Sequence, residues 1–242
     1  MKPHPIEIVC HRGANQYAPE NTYASARLCI DWALDYLEID VSTSKDGVLY
    51  VFHGPELSKT TNGTGLIFDH TATELDQLDA GSWFDPQFAE ERIPQLEPFL
   101  QWLKGKIKVF FDVKYADLSQ LIKLVYTMGL EKDCFFWFDR DSVALEFRQL
   151  APDLALKINA ATIERVIEAE EKFQAKIIEV DWDNLSRDLM TACRQRGLTV
   201  MVNYGGSEPD IFRQIWRWQP DMINTNHGDL FARIQADFLA AG

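Results

Sequence analysis

Of the five histidines in the sequence, His11 and His53 each close an apolar run, whereas His4, His70 and His227 lie in segments that read as loop. Two imidazoles so placed suit cleavage of a phosphodiester. One neutral ring takes the proton of an attacking oxygen and one charged ring gives a proton to the leaving oxygen, each typically worth about 10²–10⁴-fold. Glu38 and Asp40 stand two apart in another apolar run, so in a strand both point to one face, and Asp112 and Lys114 repeat that spacing further on. If the two runs are neighbours, three carboxylates converge. Such a cluster is unfavourable away from water unless protons or a cation neutralise it, and hard oxygen ligands in this number suit Mg²⁺ or Ca²⁺ better than zinc. The alternative is that Glu38 and Asp40 are ordinary strand-end residues ion-paired to Arg12 and Lys114. Those two cations also suit non-bridging phosphate oxygens, with Arg12 able to bond in a two-pronged fashion. Pro19-Glu20-Asn21-Thr22 opens a helix. Its free N–H groups could help bind an anion, or Asn21 could simply serve as the N-cap.

The elements that must carry these residues follow from hydrophobic period. Nine short apolar runs occur, at 6–10, 36–41, 48–53, 107–113, 134–138, 154–158, 177–181, 198–203 and 222–225. Segments of helical period follow most of them, among them 21–33, 118–128, 141–150, 163–173 and 209–218. A chain near ~250 residues with this repeat predicts an α/β fold, a (β/α)₈ TIM barrel whose site gathers at the C-terminal ends of the strands. The polar strand ends His11, Glu38, Asp40, Asp112 and Asn224-Thr225-Asn226 are the informative ones, and Glu179 and Asp181 are the titratable exceptions among the later runs.

The ninth run is surplus to eight barrel strands, and the link after Val41 accounts for it. Parallel neighbours need a crossover of about a dozen residues, and the link 42–47 has half that. Asp46-Gly47 is a hairpin signal instead. The run 48–53 is expected to fold back on 36–43, with Thr43 paired to Val48 and therefore Glu38 opposite His53. From about 54 to 93 the βα rhythm lapses, yet Leu66, Ile67, Phe68, Leu75, Leu78 and Trp83 must be buried somewhere. An insertion after the second barrel strand, capping the mouth of a single domain over 1–242, is the expectation.

Lys and Arg number 24 against 37 Asp and Glu, a net charge of −13, which disfavours nucleic acid and anionic membranes as partners. A small phosphate substrate is compatible, since a bound cation reverses the sign inside one pocket. Cys10, Cys29, Cys134 and Cys193 show no C-x-x-C spacing and read as free thiols. With no signal-like or membrane-length apolar run, a cytoplasmic protein without stable membrane association is expected.

The sequence resembles the glycerophosphodiester phosphodiesterases, a branch of the phospholipase C-like barrels. The likeness rests on His-Arg-Gly at 11–13, Pro-Glu-Asn-Thr at 19–22, Glu-Ile-Asp-Val at 38–41, Lys-Asp-Gly at 45–47 and His53. It continues through Thr-Thr-Asn-Gly-Thr-Gly at 60–65, Leu-Asp-Ala-Gly-Ser-Trp-Phe at 78–84 and Ile-Pro-Gln-Leu at 93–96. The resemblance implies His11 and His53 as catalytic acid and base, Glu38, Asp40 and Asp112 as holders of one divalent cation, and Arg12 and Lys114 on the substrate phosphate. It implies cleavage of a glycerophosphodiester to glycerol 3-phosphate and an alcohol, with a neighbouring glycerol hydroxyl attacking first to give a cyclic phosphate that water opens. A lysophospholipase D-type activity on lipid diesters, with Trp83 and Phe84 on an apolar lip, and a non-catalytic phosphate-binding barrel are the competing readings. The chain departs from the family pattern at Gly54 and Asp112, where the family has Asp and often Glu. It departs again at Val200-Met201-Val202-Asn203 and Asn224-Thr225-Asn226.

Overall fold

The computed structural model describes residues 4–241. Strands β1 (Glu7–Cys10), β2 (Tyr36–Thr43), β3 (Leu49–Val51), β4 (Lys108–Tyr115), β5 (Cys134–Phe138), β6 (Ala155–Asn159), β7 (Ile177–Asp181), β8 (Thr199–Asn203) and β9 (Met222–Thr225) form one sheet. It closes on itself through the parallel pairing of β1 with β2 and of β1 with β9. Only β3 is antiparallel, on β2, so nine strands less one leaves eight for the parallel barrel. Helices α1 (Tyr23–Asp31), α2 (Ala72–Leu75), α3 (Leu96–Leu103), α4 (Leu118–Met128), α5 (Asp141–Leu150), α6 (Ile163–Glu171), α7 (Arg187–Gln195), α8 (Pro209–Trp218) and α9 (Gly228–Ala241) complete the described chain. None of them is long and apolar enough to cross a membrane.

Alternation along the strands separates two cores. Leu37, Ile39 and Val41 on β2, with Val109, Phe111 and Val113 on β4, face outward into a large cluster with the helices. The intervening residues face the barrel axis, where Val9, Phe110, Phe135, Ile177, Met201 and Met222 make a dry apolar layer. One pleat further along, the same inward faces carry Glu38, Asp112, Lys157, Glu179 and Asn224, all buried. The barrel is thus apolar below and polar toward the C-terminal ends of its strands, which is where such barrels place chemistry.

The hairpin forms with a register one residue away from the expected one. Thr43 pairs with Leu49, Ser42 with Tyr50 and Val41 with Val51, and the Phe52 N–H donates to the Asp40 carbonyl at 2.9 Å. The turn is a three-residue loop, Lys45-Asp46-Gly47. The Ser44 N–H donates to the Val48 carbonyl, the Val48 N–H donates to Ser44 Oγ, and Gly47 takes a left-handed φ of 86°, the combination favoured in three-residue hairpins. Glu38 and His53 are therefore not cross-strand partners, and His53 lies beyond the end of β3. The segment after it holds short helical turns around a satellite cluster of Tyr50, Phe52, Leu57, Ile67, Leu75, Ala80 and Ile93.

Candidate active site

The first strand delivers His11 to the barrel mouth through a strained turn. Arg12 takes φ 55° and Gly13 φ 78°, and a Cβ on residue 13 would lie 2.5 Å from Ser25 Oγ, so only glycine fits there. The turn aims the Arg12 N–H at Glu38 Oε2, 2.5 Å away. It also sets His11 Nδ1 2.8 Å from Asn226 Oδ1. Asn226 donates through its Nδ2 to the Gly205 carbonyl and accepts at Oδ1 from Asn15 Nδ2, so that oxygen must also accept from His11. The network thereby assigns the proton to Nδ1 and leaves Nε2 of the neutral ring as a free base. Burial pushes the His11 imidazole below its ordinary value, Arg12 adds to this, and Asn226 and Asp40 oppose it. His53 is also lowered by burial, with Asp40 opposing and Arg12 and Lys114 reinforcing. Asp40 and Arg12 thus act electrostatically on both rings.

Strands β2 and β4 bring the carboxylates together. Asp40 is registered directly beside Asp112, and Glu38 beside Phe110. One oxygen from each of Glu38, Asp40 and Asp112 lies within 4.8 Å of the others. Glu38 Oε1, Asp40 Oδ1 and Asp112 Oδ1 are buried without a hydrogen-bond partner, a condition that folded proteins rarely leave unmet. Burial, then the charges of Asp40 and Asp112, hold Glu38 well above the ordinary carboxylate range. Burial and Asp40 push Asp112 up to about 6, against the opposing effect of Lys114. Of the alternative ion pairs, those to Asp40 form, whereas among the described residues Glu38 makes none and accepts only the Arg12 backbone N–H. Lys114 Nζ is 2.6 Å from Asp112 Oδ2 and 3.5 Å from Asp40 Oδ1, and Arg12 Nε is 3.3 Å from Asp40 Oδ2. Those pairs leave Glu38 Oε1 and Asp112 Oδ1 with no partner and Asp40 Oδ1 with only the Lys114 ammonium at 3.5 Å, beyond a good hydrogen bond, so the donor set fits a hard divalent cation.

Two residues of the Pro19–Thr22 stretch have roles other than the expected ones. Thr22, not Asn21, caps α1, its hydroxyl accepting from the Ser25 N–H. Asn21 is 5 % exposed and has φ 57°. It donates from Nδ2 to Asp40 Oδ2 at 2.8 Å and accepts the Asp40 N–H at 3.2 Å. Glu20 holds Arg12, Oε1 lying 3.1 Å from Nη1. Partners of this kind orient metal ligands, and their loss typically costs about 10–100-fold in metal affinity. If the cluster holds a divalent cation, Asn21→Ala should weaken its binding by about that factor in calorimetric titration, and wild-type affinity would mean that Arg12 suffices to hold Asp40.

A cavity of about 280 Å³ runs from His11, Glu38 and Asp112 across the mouth to Trp137, Lys157, Asn159, Glu179, Asn203 and Asn224. Lys157 is a site residue that the sequence reading does not single out. A lone charged side chain inside the run 154–158 is the available signal, at an inward position shared with Asn159.

The profile of the "Glycerophosphoryl diester phosphodiesterase family" matches residues 11–174. A glycerophosphodiester phosphodiesterase of Caldanaerobacter subterraneus is 43% identical over 217 residues, covering 86% of this chain and 89% of that protein. The crystal structure of a glycerophosphodiester phosphodiesterase from Agrobacterium tumefaciens superposes with a TM-score of 0.91 at 36% identity, covering 95% of this chain and 100% of that one. An Oleispira antarctica phosphodiesterase, solved with the product sn-glycerol-3-phosphate, shares the fold with a TM-score of 0.85 at 24% identity, covering 96% of each chain. The matched span holds the two strand-end histidines and all three converging carboxylates, and the chain belongs to the glycerophosphoryl diester phosphodiesterase family.

Proposed function

We propose that this chain is a glycerophosphodiester phosphodiesterase that releases glycerol 3-phosphate and an alcohol, acting as a single domain over 1–242 in the cytoplasm. The observation that carries the reading is the convergence of three buried carboxylate oxygens without hydrogen bonds at a barrel mouth that also holds His11, with Arg12 against Glu38 and Asp40. A Mg²⁺ or Ca²⁺ ion held by Glu38, Asp40 and Asp112 would supply Lewis acidity and offset negative charge on the phosphoryl group. Arg12 and Lys114 bind the non-bridging oxygens. His11 Nε2 takes the proton of the attacking glycerol hydroxyl as the new P–O bond forms, and His53 protonates the alcohol oxygen as the old bond breaks. Water then opens the resulting cyclic phosphate, giving its proton to His53 while His11 returns its own to the departing glycerol oxygen, which yields glycerol 3-phosphate and restores both rings. The bound phosphodiester anion favours the charged form of His53 against the effect of burial. Residues 54–93 roof the mouth, a reading supported by Phe68, whose ring lies 5.6 Å from that of Tyr115, the residue after Lys114. Four buried, unpaired cysteines agree with a reducing compartment.

The test is release of glycerol 3-phosphate from a panel of soluble glycerophosphodiesters and lysophospholipids with Mg²⁺ or Ca²⁺, and loss of that release in EDTA. Turnover of soluble diesters is expected. Tight glycerol 3-phosphate binding without turnover would leave a binding barrel instead, and turnover confined to lysophospholipids would make the chain a lipid phosphodiesterase.

A further inference from the structure

The two histidines divide the diester between them. His11 shares its cavity with the polar wall of Lys157, Glu179 and Asn224 and takes the proton of the glycerol hydroxyl, so that wall faces the glycerol half. The leaving alcohol lies on the side of His53, and the surroundings of His53 set which alcohol is accepted.

A bulge aims an aromatic ring at that side. β2 and β4 stay in register from Tyr36 beside Lys108 to Val41 beside Val113, and then Ser42 pairs with Tyr115, passing over Lys114. Residues paired across a sheet share a face, so Tyr115 takes the side of Glu38, Asp40 and Ser42, toward the mouth, where plain alternation would turn it away. Ser42 borders the backbone on both sides of His53. Its Oγ donates to the Phe52 carbonyl at 2.9 Å, and a Cβ on residue 54 would lie 3.5 Å from that oxygen. The same Cβ would lie 3.5 Å from Ile67 Cγ2. The next residue, Phe68, sets its ring 5.6 Å from that of Tyr115, the planes tilted by 56°. One ring from the roof and one from β4 thus meet beside His53, and they are 38 % and 49 % exposed.

The chemistry of these rings narrows the alcohol. Among the described residues no lysine or arginine lies over either of them. Trp137 is different, since its ring already carries Lys157 Nζ at 4.6 Å and Lys114 Nζ at 5.1 Å. Open faces of Phe and Tyr attract a cation through the ring quadrupole. Asp69, exposed next to Phe68, adds a negative charge, and Lys114 is turned to Asp112 and Asp40. Phe68 has no group that bonds a hydroxyl, so a polyol gains little there. An acyl chain needs a longer apolar surface, and the exposed Trp83 packs edge-on against Phe84 instead of extending this pair. An ammonium group two carbons from the alcohol oxygen meets both demands, since the oxygen takes its proton from His53 while the cation rests on the rings.

We propose that Phe68 and Tyr115 form the subsite for the leaving alcohol and select alcohols that carry a quaternary ammonium group. This rests on the phosphodiesterase reading above and adds the class of alcohol to it.

The full chain with Mg²⁺ is assayed at one ionic strength on glycerophosphocholine and on its uncharged isostere, the diester of 3,3-dimethylbutanol. The two leaving alcohols have the same shape and differ in charge alone. The expected kcat/KM is about two- to fivefold higher for the choline diester, the worth of a cation–π contact at an exposed site. Phe68→Leu and Tyr115→Leu should each lower that ratio, and the double leucine variant should bring it to about one. Tyr115→Phe, which keeps the ring, should retain it. Both side chains are exposed, so folding is not at stake. If the rings only pin the roof to β4, the leucine variants leave the ratio as it is. A wild-type ratio of one or below, or a ratio unchanged in the double leucine variant, would overturn the subsite and leave the phosphodiesterase reading standing. No turnover of any diester would overturn that reading, and the subsite with it.

Discussion

Replacing His11 with alanine should lower kcat for glycerophosphodiester hydrolysis by about 10²–10⁴-fold, the usual worth of a positioned proton-transfer group, and His53→Ala should do the same. The two losses should not multiply in the double variant, because acid and base act on one transition state. Neither ring is built into the core. His11 is partly exposed at the mouth, and His53 follows the end of β3, so the melting temperature of each variant should stay near that of wild type. The cation-induced rise in melting temperature should also persist, since neither ring belongs to the carboxylate cluster. With the cation kept saturating at every pH, so that protonation of the carboxylates does not limit the rate, the acidic limb of kcat/KM gives a check on His11. Burial lowers its pKa, so the ring is neutral further into acid than a free imidazole and the limb should fall below pH 6.5. Turnover like that of wild type in either alanine variant would remove that residue from the chemistry.

The period of two along β2 and β4 makes the carboxylate cluster legible in the amino-acid sequence, because inward residues of neighbouring parallel strands must meet if the barrel closes. Asp40 beside Asp112 is the direct outcome. What the sequence does not disclose depends on contacts set by turns or by distant strands. Whether the turn is the four-residue loop 44–47 or the three-residue loop 45–47 is a matter of one left-handed glycine, and it shifts the β3 register by a residue. Asn21 reads as a cap because asparagine is a common one, yet its partner, Asp40, is on another strand. Lys157 and Glu179 lie 22 residues apart, and nothing in either apolar run signals that each neutralises the other.

At pH 7.5 Mg²⁺ or Ca²⁺ should raise the melting temperature of the EDTA-stripped protein by several degrees, and the rise should shrink as the pH falls toward 5. The sign follows from the raised carboxyl groups. Asp112, at about 6 in the fold against 3.8 ordinarily, binds its proton more tightly when folded, so its contribution to stability is present below pH 4 and is lost as pH rises through 6. At about 1.4 kcal/mol per unit, that loss is on the order of 3 kcal/mol from Asp112, and Glu38, raised for the same reasons, adds to it. A cation at about a thousand times its Kd returns about 4 kcal/mol, equivalent to roughly 8–16 °C in a chain of this size. At pH 5 protons already neutralise part of the cluster, and the ion must displace them. Glu38→Gln isolates the effect, since the amide keeps the shape and can still accept the Arg12 N–H. It should melt higher than wild type at pH 7.5 in EDTA, respond little to added cation, and lose at least about 10³-fold in turnover, as expected when a ligand to a catalytic ion is removed. A wild-type rise in melting temperature on adding cation to Glu38→Gln would show that the ion does not sit among these three carboxylates.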